Sequence, residues 1–527
     1  MKQPTTLRGF AALQPDKPAV IEAETGLAIS YRELDERSNR LSRLLHAQGL
    51  RRGDRFAMVM ENHLRCFEVA WAALRSGLLL VTVNRYLTPA EAAYIVNDSD
   101  ARVVVSSRAM AELAGPLTAL MPAVERRLMV DSAVDGAVDS AIDGWEPYED
   151  AVAAFAPTPL DEEWLGGLMF YSSGTTGQPK GVVRALAAVP PDDAAAHALR
   201  VLMPRRFGFD GDTVYLSTAP LYHAAPMSYA TNVHVLGGTT VFMRRFEPLA
   251  ALAAIERWRV THSQWVPTMF IRLLKLDEQQ RHGFDLGSHR AAIHAAAPCP
   301  PEVKRRMIDW WGPIVGEYYG GSEANGITVI DSAEALQRPG SVGRALLGTL
   351  RICDESGAEL PAGQDGLIYF ERDALPFHYH KDEAKTRAAQ HPQHPNWTTI
   401  GDIGHVDADG FLYLTDRASF MIISGGVNIY PQAVENALAL HPAVADVAVI
   451  GVPDDEMGEA VKAIVEPADG VLPSPELAAA IVDFLRGKVA RYMLPKSVDF
   501  IDRMPRLPTG KLYKKALRER YAARAAA

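Results

Sequence analysis

Short apolar runs alternate with amphipathic stretches from about Pro18 to Ser107. Tyr31 to Leu50 carries apolar or small residues at helical spacing, with Arg and Glu between them, and predicts an amphipathic helix. Arg55 to Met60 and Arg102 to Val105 predict strands. Such alternation predicts α/β layers. From Gly340 to Tyr413 the texture changes. Short β-like runs, Leu350 to Cys353 and Gly366 to Phe370, stand between Gly, Asp and Pro turns, which predicts a small β-rich subdomain over about 340–416. After Asp416 to Gly426 the pattern shifts again. It predicts a helix over Pro431 to Leu440, strands over Val444 to Gly451 and Val461 to Val465, a helix over Pro473 to Arg486, and a final basic helix. That set makes a compact α+β unit of small-domain size. The junction falls near Arg417 to Ser419, dividing the chain into 1–417 and 418–527. The expected fold is α/β: a large N-terminal domain of layered α/β subdomains plus the small β-rich subdomain, and a small α+β C-terminal domain.

Composition narrows the function class. A chain of 527 residues is too long for one core, and 48 % apolar residues suffice for several. The net charge of −10, with no dominant basic block, argues against a nucleic-acid binder. Cys66, Cys299 and Cys353 are odd in number and far apart, with neither disulfide nor zinc spacing, which fits a reducing cytoplasm. The run Met1 to Arg8 lacks the apolar core of a signal peptide, and the longest apolar run, Phe67 to Val83, is broken by Glu68, Arg75 and Ser76. A cytoplasmic protein without an integral membrane segment is expected. Ser132 to Gly144 repeats Ala-Val-Asp-Gly-like units and predicts a surface turn array without chemistry.

The candidate chemistry is concentrated at Tyr171, Ser172, Ser173, Gly174, Thr175, Thr176, Gly177, Gln178, Pro179, Lys180, Gly181 and Val182. Glycines let a backbone approach an anion, and successive N–H groups form a nest for phosphate. Four hydroxyls add donors, and Lys180 adds a point charge. The run leaves a predicted strand at Leu168 to Phe170, which suits a phosphate-gripping loop. It is not a Walker A motif, because Gly181 and not Ser or Thr follows Lys180.

This stretch resembles the signature loop of the adenylate-forming superfamily, which contains acyl-CoA and aryl-CoA synthetases, luciferases and peptide-synthetase adenylation domains. The resemblance runs from about Pro15 to Tyr521, and further motifs follow in order. It implies that Ser172, Ser173, Gly174, Thr175, Thr176 and Lys180 hold ATP phosphates. Glu317 to Glu323 is similar to the family's Tyr-Gly-x-Thr-Glu motif, with Ser322 in the threonine place. By that likeness Tyr319 stacks on adenine, Ser322 bonds the α-phosphate and Glu323 holds Mg2+. His294 to Pro298 resembles the Gly-Gly-Ala-Pro segment of the adenine pocket, which assigns Ala296, Ala297 and Pro298 to its wall; alanines replace both glycines. Asp402 is implied to take the ribose hydroxyls with Arg417 in support, although Ile400 stands where the family usually has Thr. Ser424, Gly425 and Gly426 look like the loop that lines the CoA path once a mobile C-terminal domain has turned about Ser419. Phe420 occupies a common Asp position, and Tyr492-Met493 a common Tyr-Lys position. Pro505 to Lys511 is similar to the catalytic-lysine motif, so Lys511 is implied to stabilise charge in adenylation.

On the acyl side, Thr218 to His223 matches the segment where acyl-CoA synthetases place a His or aromatic beside the substrate carboxylate. The Asp that peptide-synthetase domains use to pair an amine is missing between Asp212 and Trp265. Trp265 to Phe270, with Trp265 and Met269 foremost, would supply an apolar wall for a hydrophobic acid. The resemblance therefore implies an AMP-forming acyl-CoA synthetase using ATP, Mg2+ and coenzyme A. Its motif wording is closest to bacterial fatty-acid and steroid or bile-acid CoA ligases. Three alternatives stay open at this point: an acyl-AMP ligase that loads a carrier protein, a luciferase-like oxidase of the adenylate, and a non-catalytic nucleotide-binding protein. The acid's chain length or ring system and the oligomeric state are not legible.

Overall fold

Strand runs buried on both faces read as continuous apolar segments, because helices cover a parallel sheet above and below. Arg55–Val59, Leu79–Thr82 and Val103–Ser107 are such runs, each almost wholly buried. In the computed structural model they lie parallel and adjacent. The described residues are 5–131, 142–172, 179–193, 198–417, 420–424, 427–454, 456–506 and 512–525. They divide into two compact units. One comprises Met1–Gln264, His282–Ala292 and Phe377–Glu383; the other comprises Trp265–Arg281, Ile293–Pro376 and Ala384–Ala527. The fold is mixed α/β, with a large N-terminal and a small C-terminal domain.

The first unit holds an eight-stranded sheet. Its order is His378–Tyr379, Lys180–Val183, Gly167–Ser172, Leu79–Thr82, Arg55–Val59, Val103–Ser107, Arg126–Val130 and Glu146–Pro147. The last six run parallel, and the two at the other edge are antiparallel to their neighbours. Ala57, Val59, Val81, Val104, Met129 and Met169 share one core beneath the helix Pro89–Asp98. That helix starts at Thr88, whose hydroxyl accepts from the Glu91 N–H while the Glu91 carboxylate accepts from the Thr88 N–H. The same unit carries parallel strands Val214–Ser217, Thr239–Phe242 and Pro18–Glu22, closed by antiparallel Ala28–Ser30. The expected helix from Tyr31 ends at Ala47, three residues early, because Gly49 takes a left-handed φ of +82°.

In the second unit, antiparallel strands Val315–Tyr319, Ile327–Ile330, Ser341–Leu347, Leu412–Arg417, Asp402–Val406, Gly366–Glu371 and Thr349–Cys353 follow one another across a sheet. Val342, Ile352, Ile368, Phe370 and Leu412 form its core. A separate five-stranded sheet contains Val427–Ile429, Ile422–Ser424, Gly458–Pro467 and Val444–Asp454, with Ser497–Phe500 beside Gly458–Pro467. Val447, Val449, Val461 and Val465 feed one core with the helices Pro431–Leu438 and Pro475–Leu485. The alternate positions Ala448, Ile450 and Ile464 feed a second core with Leu517 and Tyr521 of the helix Lys514–Ala525. This two-sided burial explains why Val444 to Ile450 reads as apolar with little alternation. Both long strands extend past the predicted apolar runs, to Asp454 and from Gly458, since ladder hydrogen bonds continue where side chains are already solvated. The Ser132 to Gly144 repeat lies largely outside the described residues. No helix among the described residues is long and apolar enough to cross a membrane.

Candidate active site

Tyr171 faces Gly181 and Ser172 faces Lys180 across antiparallel strands, so the base of the predicted phosphate loop is a hairpin. A Cβ on Gly181 would lie 2.4 Å from Met169 Cε and 3.0 Å from Tyr171 Cζ, which explains the glycine after the lysine. The Tyr171 hydroxyl donates to Asp98 at 2.7 Å, and burial together with that carboxylate raises its pKa. Lys180 Nζ lies 2.9 Å from Asp382, whose hydrogen bond raises the lysine pKa. Asp382 carried no signal in the sequence. The remaining residues assigned to the loop, Ser173, Gly174, Thr175 and Thr176, lie outside the described residues.

The acyl segment of the same unit follows the strand Val214–Ser217 and ends at His223, which precedes the helix Ala224–Leu236. Asn62 is buried beneath it. Its amide donates to the carbonyls of Ala219 at 3.2 Å and Met243 at 2.7 Å, and its oxygen accepts from the Leu221 N–H at 2.7 Å. The Thr82 hydroxyl donates to the Tyr222 carbonyl at 2.6 Å. The Tyr222 and His223 rings touch, with centroids 4.3 Å apart. Tyr222 Oη and His223 Nε2 are enclosed and have no hydrogen-bond partner. Burial pushes the His223 pKa down to about 3, so its imidazole is neutral at pH 7.

In the second unit, the strand Val315–Tyr319 delivers Tyr319, and its hydroxyl donates to Asp402 at 2.7 Å. Asp402 is buried and stands opposite Arg417 in the strand register. The Tyr319 ring lies stacked near Phe370, centroids 6.3 Å apart, a neighbour sequence reasoning missed. One end of the strand is anchored by a buried ion pair between Lys304 and Glu317. Glu323 is 7 % exposed and sits in the turn after Tyr319, with Ser322 beside it. A Cβ on Gly321 would lie 2.8 Å from Glu323 Oε2 and 3.0 Å from Ile400 Cδ1, so the close packing of this turn explains the glycine. Arg372 donates to the carbonyls of Ala324 at 3.1 Å and Asn325 at 3.4 Å and fixes the far side of this turn.

Ala296 adopts φ +75° and is exposed, with Ala297 and Pro298 following. The backbone there keeps a conformation that suits glycine, at a cost of about 1 kcal/mol for alanine. Trp265 and Met269 are buried, and the Trp265 ring lies 5.2 Å from that of Trp311. Around the lysine motif, Leu507 to Lys511 lie outside the described residues, as do Gly425 and Gly426 beyond Ser424. The flanks of the lysine segment are described. Arg506 and Leu512 form an antiparallel bridge, Arg506 pairs with Asp446, and Lys514 pairs with Glu435 at 2.8 Å.

Four buried histidines set a pH dependence. His223, His234 and His289 are pushed down to about 3 and His294 well below its ordinary value, all chiefly by burial. The unfolded chain protonates them near pH 6.5 and the folded chain does not. Unfolding therefore takes up protons, and stability is lost as pH falls from about 6.5 toward 3. We expect these residues to contribute roughly four protons to the uptake at pH 5, each worth about 1.4 kcal/mol per pH unit. Calorimetric melts from pH 7.5 to 5 check this; a melting temperature independent of pH over that range would contradict it.

Residues 7–378 match the model of the AMP-binding enzyme family, and residues 433–511 match the AMP-binding enzyme C-terminal domain. The chain is 34 % identical to a feruloyl-CoA synthase of an Amycolatopsis species, over 97 % of each protein. It is 30 % identical to the long-chain-fatty-acid–CoA ligase FadD13 of Mycobacterium tuberculosis, over 98 % of each. Among solved structures it is similar to ATP-bound MatB from Rhodopseudomonas palustris, with a TM-score of 0.78 and 29 % identity, covering 98 % of this chain and 99 % of that one.

Proposed function

The chain belongs to the AMP-binding enzyme family, and on that premise we propose how its residues divide the work. It is an ATP-dependent acyl-CoA synthetase. An oxygen of the substrate carboxylate attacks the α-phosphorus of ATP, the bond to the bridging oxygen breaks, and acyl-AMP and pyrophosphate form. The CoA sulfur then attacks the acyl carbon, and AMP leaves with the oxygen it received from the acid. Adenylation thus converts a poor leaving group into a good one.

The observation that carries the site assignment is the hydrogen bond between Tyr319 and Asp402. It joins residues 83 positions apart that we assign to adenine and ribose. Arg417 supports Asp402 from the neighbouring strand. The loop from Ser172 to Lys180 holds the phosphates, with Lys180 steadied by Asp382. Ser322 bonds the α-phosphate. We assign Glu323, a buried carboxylate, to Mg2+. Magnesium would neutralise phosphate charge there. Lys511 stabilises the transition-state charge of adenylation only. The domain from 418 onward then turns, with Ser424, Gly425 and Gly426 on the thiol path. The use of ATP and CoA as substrates supports a cytoplasmic setting.

For the acid we infer a hydrophobic compound. His223, neutral through burial, serves as a hydrogen-bonding group beside the carboxylate, and its unpartnered Nε2 supports that use. We assign Trp265 and Met269, both buried, to the apolar wall of the acid site. We expect Met269→Ala to shift preference across a panel of aliphatic and aryl acids, read by pyrophosphate release, while the KM for ATP stays within about twofold. Uniform loss across all acids with weakened ATP binding would make Met269 structural core.

A further inference from the structure

We propose that Asn62 and Thr82 are positioning residues that set acid selectivity by fixing the turn that carries His223; the inference rests on the acyl-site reading above. Both emerge at the C-terminal edge of adjacent parallel strands, the edge where open α/β sheets place ligand-binding elements. Thr82 is the last residue of its strand, and Asn62 stands three residues past Val59. Neither reaches His223. Each acts on the backbone that leads to it.

The geometry is specific. Asn62 accepts from the Leu221 N–H and donates to the Ala219 carbonyl, so one amide closes the turn from both sides. Its second donor bond, to the Met243 carbonyl, ties the turn to the end of the strand Thr239–Phe242. Thr82 then holds the Tyr222 carbonyl. All the contacts are buried, so water is not at hand to replace a lost partner. Thr218 bonds the carbonyl of Gln264 at 2.6 Å and anchors the start of the segment. The turn is therefore held at Thr218, Ala219, Leu221 and Tyr222, while the Tyr222 and His223 rings beyond it rest on each other. The unpartnered His223 Nε2 faces its ligand in one orientation only if this backbone stays in place.

The test uses Thr82→Val, Thr82→Ser and Asn62→Ala in the full-length enzyme. Valine keeps the shape of threonine without the hydroxyl, and serine restores it. We expect Thr82→Val to raise the KM for the preferred acid about tenfold, with the KM for ATP within about twofold, and to flatten the ranking across the acid panel. Thr82→Ser should return both toward wild type. Asn62→Ala should act in the same direction and more strongly; if it fails to fold, the Thr82 pair decides. A parallel rise in both KM values, or a lower melting temperature with unchanged acid ranking, overturns the proposal. His223→Ala separates the two levels. If it leaves acid ranking untouched, the acyl-site reading itself fails. If it shifts the ranking while Thr82→Val does not, only the positioning role fails.

Discussion

Lys511→Ala should slow adenylation by about 10²–10³, the usual cost of removing one electrostatic stabiliser from a transition state. The same preparation should still make thioester from synthetic acyl-AMP and CoA at near wild-type rate. On the proposed turn of the domain from 418 onward, Lys511 has left the acyl-AMP before the thiol attacks, so a lysine that serves adenylation alone leaves the second step untouched. The anchors around the segment, Arg506 to Asp446 and Lys514 to Glu435, remain in the variant, so the loss is of one charge and not of the local fold. Both half-reactions are measured on one sample. Equal losses in the two would reject Lys511 as an adenylation residue.

Glu323→Gln is the second large effect. The amide keeps the size of the side chain and removes the charge that a hard cation requires. Pyrophosphate formation should fall roughly 10²-fold, and raised magnesium should recover part of it. The buried setting sharpens the expectation, because a carboxylate only 7 % exposed leaves few groups to substitute for it. A titration of rate against magnesium checks this. An unchanged rate with an unchanged magnesium midpoint would remove Glu323 from the metal role.

Much of this architecture is legible from local pattern. The strand before the phosphate loop, the β-rich texture after Gly340 and the α+β set after Asp416 follow from periodicity and turn residues, which act over a few positions. Element ends are less legible, as at Ala47 and Asp454, where a left-handed glycine or a solvated ladder decides. In the site, the motifs bring Tyr319 and Asp402 to attention separately, but only the folded chain joins them. Asp382, Asn62, Thr82 and Arg372 gave no signal, because each works through long-range contacts to backbone groups or to a charge. Ala296 shows a further limit. Its departure from glycine is visible in the sequence, while its left-handed backbone is a property of the fold.

The most direct test of the two-step account follows the oxygen atoms. The wild-type enzyme is given ATP, magnesium, CoA and a hydrophobic acid labelled with ¹⁸O in the carboxylate, and the products are weighed by mass spectrometry. The account predicts AMP carrying one labelled oxygen, unlabelled pyrophosphate, and acyl-CoA retaining the other label, because the carboxylate attacks the α-phosphorus. Label in inorganic phosphate with ADP as product, or unlabelled AMP, would contradict it.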